Sequence, residues 1–340
     1  PTRATVGNRA INVPFEVTLN KGEIYNVMAK VITGGSNDIS GSKVQSIPGA
    51  DGTCHPVALF SGCSRAYVCP SGDPLNTGSD YMMQQVFPTN AWGSRFITAL
   101  TSRSTGANNL NNNKFRAYIR DPNTLVRKNG VLVTGLLNNA CYDFLSTTGD
   151  VITSNKPILL AQFIPSANGC GSEGLGDPEM FCLVPVEQAI DKISFFSSSR
   201  ENIEANYLTL IIPTNGVPSL RIDGASNFDY TYPHPNAPGY TVVVKQFLVP
   251  NLQHTAKSDS AFTAIAYGLG QFESYGYNAG AHVDNLEAVV QLKNEYAPTY
   301  SAYTCTKTPF HPVLKTVYKP SSIFWPLSTV SGLSPNANVT

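Results

Sequence analysis

The chain predicts an all-β protein: three repeated antiparallel β-sheet units packed side by side as a propeller-, prism- or sandwich-like array, followed by the start of a further β domain. Three observations carry this. An apolar strand recurs at Pro56–Phe60, Pro157–Phe163 and Ala261–Tyr267, a period of about one hundred residues, and each copy follows a short polar strand. Turn signals occupy matched places, Asn129-Gly130 in the second repeat and Asp223-Gly224 in the third. The composition is rich in Gly, Pro, Asn, Ser, Thr and Tyr, and only 14% of residues are charged, which suits many short strands joined by turns.

Element by element, residues 13–31 predict two strands around Asn20-Lys21-Gly22, where Gly takes the positive φ of the turn. A Gly/Ser/Asn-rich excursion follows, with a short strand at Val44–Ile47 ahead of the first apolar strand. Asp80-Tyr-Met-Met-Gln-Gln-Val-Phe-Pro88 and Asp177-Pro-Glu-Met-Phe-Cys-Leu-Val-Pro185 stand 97 apart (177 − 80) and repeat one another. Pro88–Gly93 and Pro185–Lys192 predict a helical turn or two, Pro standing at the start of each. The second repeat is the most complete: an alternating strand at Phe115–Ile119, a hairpin over Val126–Val133, and the strand bearing Tyr142. Tyr25 and Tyr240 mark its counterparts. Residues 282–293 predict a closing strand. The units fall at about 13–101, 114–199 and 206–292 within a domain of residues 1–296. Residues 297–340 predict a linker and the start of an Ig-like β segment. The first unit lacks opening strands that the others have, and Pro1 is not an initiator, so the chain is expected to be excised from a longer protein.

Net charge is zero, against the basic patch expected of a nucleic-acid binder. No apolar run is long enough to predict a membrane-spanning helix. Seven cysteines without a CxxC pair argue against zinc and for disulfides in an oxidising compartment. Cys63 and Cys69 flank the loop after the first apolar strand, and Cys170 and Cys182 flank its counterpart, so both pairs are candidates for local closure. Cys305 is the candidate odd thiol.

Several of these stretches resemble the N-terminal domain of IgG-Fc-binding mucus proteins and their bacterial relatives. They are Phe60–Cys63, Asp80–Gly93, Lys156–Ile158, Gly176–Pro178, Ile222–Gly224, His254–Thr255, Ala264–Gly270 and Ser274–Gly280, collinear over about residues 13–292. The details look most like large secreted surface proteins of gliding Bacteroidota, exported by a type IX system. The resemblance implies an extracellular, non-enzymatic module, with adhesion or ligand capture as its work. No residue set for immunoglobulin binding carries over.

The chemistry the residues offer is sparse. There is no Gly-x-Ser-x-Gly elbow and no His-Glu-x-x-His helix. His254 stands near Ser258, Asp259 and Ser260, in or beside a predicted strand, and a strand histidine satisfied by backbone is the better reading. Glu173, Glu179, Glu187 and Glu273 hold carboxylates for a glycosidase pair, but their separations are not legible in sequence. Asp223 and Asp229 flank a turn without the remaining oxygen ligands of a calcium loop, so no cofactor is expected. Aromatics in turn-rich segments are the candidate contact surface for a glycan or protein: Trp92 beside Tyr81, Tyr230 and Tyr232 with His234, and Tyr275 with Tyr277. Ser260, in Asp259-Ser260-Ala261, is a candidate O-glycosylation acceptor. Two readings follow. An adhesion or ligand-binding module predicts aromatics converging from different repeats. A stalk or filament subunit predicts open strand edges, above all on the truncated first unit.

Overall fold

The computed structural model describes the chain apart from residues 32–37, 48–54, 70–77, 105, 171–173, 199, 248–251, 284–285, 287, 302–306, 317–322, 326 and 330–340 and the side chains of 288–290. Cys54 and Cys305 lie outside the described residues. Two compact units result, Pro1–Val283 and Asp284–Thr340.

The strands in chain order are β1 (Phe60–Ala66), β2 (Asp80–Gln85), β3 (Gly93–Ile97), β4 (Asn113–Ile119), β5 (Val126–Lys128), β6 (Val131–Leu132), β7 (Cys141–Ser146), β8 (Val151–Ile164), β9 (Glu179–Cys182), β10 (Ile190–Phe196), β11 (Ile203–Pro213), β12 (Arg221–Ile222), β13 (Tyr230–Pro233), β14 (Tyr240–Phe247), β15 (Gln253–Gly270) and β16 (Glu273–Asn278). The second unit adds β17 (Ala288–Asn294), β18 (Tyr300–Ser301) and β19 (Phe310–Thr316). The Pro88 and Pro185 turns are single 3-10 turns, Thr89–Ala91 and Val186–Gln188.

Two seven-stranded antiparallel sheets dominate. One has the order β6-β5-β8-β4-β7 with β3 and β9 also on β8; the other has β10-β15-β11-β14-β13 with β12 and β16 also on β15. The polar and apolar strands of the sequence fuse here into single long strands, β8 and β15. Each long strand has two sets of partners. Its C-terminal half pairs within its own repeat, β8 with β4 and β9, β15 with β11 and β16. Its N-terminal half receives the trailing strand of the preceding repeat, β3 on β8 and β10 on β15. Each repeat thus hands a strand to the next. The turn signals act as predicted: Asn129 and Asp223 have φ of 50° and 51°, each followed by a glycine at positive φ.

Pairing fixes which positions are equivalent. Phe60 pairs with Gln85 as Ala161 pairs with Cys182, an advance of 101 (161 − 60) on the first strand and 97 (182 − 85) on the return strand. Gly93 pairs with Ile158 as Ile190 pairs with Phe262, and Ile265 faces Asn278, so the return strand advances a further 96 (278 − 182). Three layers follow. Cys63 and Met82 of the β1–β2 hairpin pack on Ala161, Phe163 and Met180. The opposite face of that sheet meets the other seven-stranded sheet across Phe96, Phe115, Leu160, Tyr207, Val242 and Tyr267. The last core, with Leu208, Leu210, Val243 and Phe262, lies on the far face of the third-repeat sheet.

Three expectations change. Residues 13–31 and Val44–Ile47 form no strand; the contacts described there include a bridge between Thr5 and Ala29, backbone bonds at its base, turns, side-chain bonds and the ring contact of Phe15 with Tyr25. A strand needs a paired neighbour, and β1 pairs with β2 alone among the described residues. The strand read as closing the third repeat is β17, which pairs with β18 and β19 in the second unit. Local closure of Cys63–Cys69 and Cys170–Cys182 is replaced by a Cys69–Cys170 disulfide, with Cys63 and Cys182 left as thiols. Cys63 and Cys182 are thiols because both lie within strands, β1 and β9, whose pairing fixes their direction, whereas Cys69 and Cys170 stand in the adjoining loops.

Candidate functional site

The third repeat's aromatics do not converge. Tyr230 and Tyr232 stand with tilted rings 4.9 Å apart and pack on the central core, beside Val242 and Val244. Tyr277 packs on the core of the opposite sheet face, and Tyr275, two residues before it on β16, shares that side. Both hydroxyls are engaged by the end of β10. Tyr277 donates to Phe196 O at 2.6 Å and accepts from its N–H at 3.0 Å. Tyr275 donates to Asn206 Oδ1 at 2.5 Å and accepts from the Ser198 N–H at 3.2 Å. Burial pushes the Tyr275 phenol up to about 12. His234 is buried and ties two repeats together. Its Nδ1 accepts from the Asn236 N–H, so Nε2–H is the donor to Thr98 O at 2.9 Å. Burial lowers its pKa, keeping the ring neutral. Trp92 is half-buried and donates to Phe87 O. Ser260 is half-buried against Gly216, where an added Cβ would stand 2.4 Å from the Ser260 Cβ.

A Ser–His–Asp chain absent from the sequence reading is present. Ser197 Oγ lies 2.9 Å from His254 Nε2, and His254 Nδ1 lies 2.6 Å from Asp223 Oδ2. Asp223 also accepts from the Thr255 N–H at 2.8 Å. The order matches a nucleophilic triad; the burial does not. Ser197 is 2% exposed, while the Asp223 side chain is 45% exposed. The would-be nucleophile stands at the dry end. Phe195 and Phe247 cover the imidazole, with ring centroids 5.3 and 3.9 Å away. Ser258 bonds Ser219 and Gly216 instead, so the sequence-local grouping around His254 is not formed. The missed signal was the distance in sequence: the three residues meet only because β10 and β12 both pair with β15.

The calcium grouping does not close. Asp223 serves His254, and Asp229 pairs with Lys245 at 3.1 Å and accepts from the Gln246 N–H. Among the described residues no group of three or more His, Cys, Asp or Glu side chains is placed to hold a metal ion. An interior cavity of about 20 Å³ beside Ile97, Gln162, Thr209 and Thr263 admits a water and nothing larger.

The open surface is on the first repeat. Residues paired across β1 and β2 share a face, so Cys63 and Met82 point inward, while Phe60, Gly62, Met83 and Gln85 point outward, joined by Tyr81 through strand alternation. Phe60, Tyr81 and Met83 are 57%, 54% and 51% exposed. A side chain at Gly62 would stand 2.2 Å from Met82 O, so glycine is what lets β2 lie this close. Tyr81 was legible as a candidate; Phe60 and Met83 follow from the alternation of Asp80–Gln85 once the inward residue is known.

A family model described as IgGFc binding protein matches residues 1–268. The chain belongs to the IgGFc-binding protein family. No curated protein and no solved structure matches it. Membership in the IgGFc-binding family fits a ligand-binding extracellular module with a protein partner, and the Cys69–Cys170 disulfide fits an oxidising compartment. Among the described residues no helix is long and apolar enough to cross a membrane.

Proposed function

We propose that this chain is a non-enzymatic adhesion module that captures a protein ligand on the outward face of the β1–β2 hairpin. The observation that carries this is the exposure of Phe60, Tyr81 and Met83 together on one strand-pair face, while the tyrosines of the third repeat are half-buried and packed on its cores. Contiguous exposed apolar side chains mark interaction surfaces, and Tyr and Met are adaptable contact residues. The family's described ligand, the Fc part of IgG, is the first probe, and a glycan array is the second. The resemblance to secreted Bacteroidota surface proteins supports export by a type IX route and a place on a gliding cell. The buried Ser197 supports the absence of serine-peptidase chemistry.

The test is surface plasmon resonance of the whole chain against immobilised Fc. Phe60→Ala/Tyr81→Ala/Met83→Ala is expected to weaken binding at least about tenfold, the loss of a hot-spot cluster. Tyr230→Ala/Tyr232→Ala is expected to leave the affinity of the folded protein unchanged. Binding that survives the triple change and falls with the double one overturns the assignment of the face.

A further inference from the structure

In the second and third repeats the strand equivalent to β1 is flanked on both sides. β8 lies between β9 and β4, and β15 between β16 and β11. β1 has only the return strand, β2, and its other edge carries no described partner. The equivalence of Phe60 with Ala161 places the residues matching Ile158–Phe163, which β4 covers, at residues 57–62. Val57 and Leu59 are exposed there. An unpaired edge flanked by apolar side chains is a template for another strand.

A segment with the character of that strand stands unpaired in the same chain. Residues 13–19 alternate strictly, with Val13, Phe15, Val17 and Leu19 on one side and Pro14, Glu16 and Thr18 on the other. Val13, Val17 and Leu19 are exposed, and no strand is formed. The base of the loop that carries them is closed by Val6 N–H to Met28 O and Lys30 N–H to Ala4 O, each 2.9 Å. Pro14 has no N–H, so the pairing side belongs to the odd-numbered residues, whose N–H groups are all present.

We propose that residues 13–19 of one copy pair with the open β1 edge of a second copy, supplying the strand that β4 and β11 supply in the other repeats. Tether length does not prevent closure within one chain. Forty residues separate residue 19 from Phe60, against thirty-one between β4 and β8 and thirty-nine between β11 and β15. Among the described residues donor and acceptor are nonetheless both left unpaired, and a donor and an acceptor on one molecule are the two halves of a head-to-tail contact. Such contacts propagate unless their rotation closes a ring, so the product is a chain of copies or a ring. The inference concerns self-association and is independent of the ligand face.

The experiment is sedimentation velocity of the full chain across a concentration series, with and without a synthetic peptide of residues 11–21. Wild type is expected to show mass rising with concentration. Val17→Pro, in an exposed and unpaired segment, removes a pairing N–H and is expected to stay monomeric to at least about tenfold higher concentration. The wild-type peptide is expected to bind the Val17→Pro protein and to dissolve wild-type oligomers; a peptide carrying the same proline does neither. A wild-type chain that is monomeric throughout and refuses the peptide has its edge filled in cis, which overturns the proposal. So do oligomers that Val17→Pro leaves intact. Phe60→Ala/Tyr81→Ala/Met83→Ala tests ligand capture and Val17→Pro tests assembly, so either reading can fail alone.

Discussion

Cys69 is bonded to Cys170, the residue that holds its own position one repeat later: the two are 101 apart, the advance that carries Phe60 onto Ala161. Their Cα atoms are 5.0 Å apart. The disulfide joins the loop after β1 to the loop after β8, the matched places of the first and second repeats. Removing it by Cys69→Ala/Cys170→Ala is expected to cost about 2–5 kcal/mol, since the bridge closes a long loop in the unfolded chain. Urea unfolding with and without reductant checks this: reductant should shift the wild-type midpoint and leave the double variant where it is.

The same relation recurs between the trailing turns. Gln188 Nε2–H donates to Ala91 O at 2.7 Å across 97 residues, again the spacing of the repeat on that strand. Gln188 is buried, and its own carbonyl accepts from the His282 N–H. Gln188→Leu keeps the volume and strands the Ala91 carbonyl. The expected loss is about 1–3 kcal/mol, the cost of a buried acceptor left bare. Thermal unfolding measures it, and Gln188→Glu, which can offer a proton only when protonated, should lose more at pH 8 than at pH 5.

The hairpins of the second and third repeats were legible because their signals are local. Asn129-Gly130 and Asp223-Gly224 impose positive φ, and alternation names the buried face of Phe115–Ile119. What was not legible is where strands go when they leave their repeat. Nothing in Gly93–Ile97 says that it will pair with β8 of the next unit, and the disulfide depends on that arrangement. The tyrosines of the third repeat do not share one open face for a related reason. Tyr275 and Tyr277 sit in a turn-rich stretch, but the end of β10 lies across them and takes their hydroxyls. In the first repeat the reverse holds: residues 13–19 have the alternation of a strand, and no described strand lies beside them.

The return strands carry acids at matched positions. Asp80, Asp177 and Glu273 are successive images of one another, spaced 97 (177 − 80) and 96 (273 − 177). Burial, then the charges of Asp80 and Glu273, raises Asp177 to about 6. Burial also raises Glu179 to about 7, with Asp80 adding to it and the Met180 and Gly276 N–H groups opposing. Both folded values lie above the unfolded ones. Their stabilising contribution is therefore complete below about pH 4 and is lost as pH rises through 6 to 7. The melting temperature is expected to climb as pH falls from 8 to 5. Glu179→Gln should flatten that slope and stabilise the protein at pH 8 by roughly 1–3 kcal/mol. Calorimetry across the range decides it; a slope unchanged in the variant would show that Glu179 is not its source.

The Ser197–His254–Asp223 chain yields opposite expectations for a catalyst and for a clamp. As a clamp it fixes three elements, the end of β10, the start of β15 and the β12 turn, by one imidazole. Asp223 accepts from Nδ1–H, and Nε2 shares a hydrogen bond with the Ser197 hydroxyl. A nucleophile has to meet its substrate, and Ser197 is 2% exposed beneath Phe195 and Phe247, the rings that cover its histidine. A fluorophosphonate probe is therefore expected to leave Ser197 unlabelled in the folded protein, as read by peptide mass spectrometry. Ser197→Ala strips Nε2 of its hydrogen-bond partner in a dry setting and is expected to cost about 1–3 kcal/mol, as is Asp223→Asn, which weakens the charged partner of Nδ1. Because both act through the same ring, their costs should not add: the double variant is expected to lose clearly less than the sum. Labelling of Ser197 that disappears in Asp223→Asn would instead mark a working nucleophile and overturn the non-enzymatic reading.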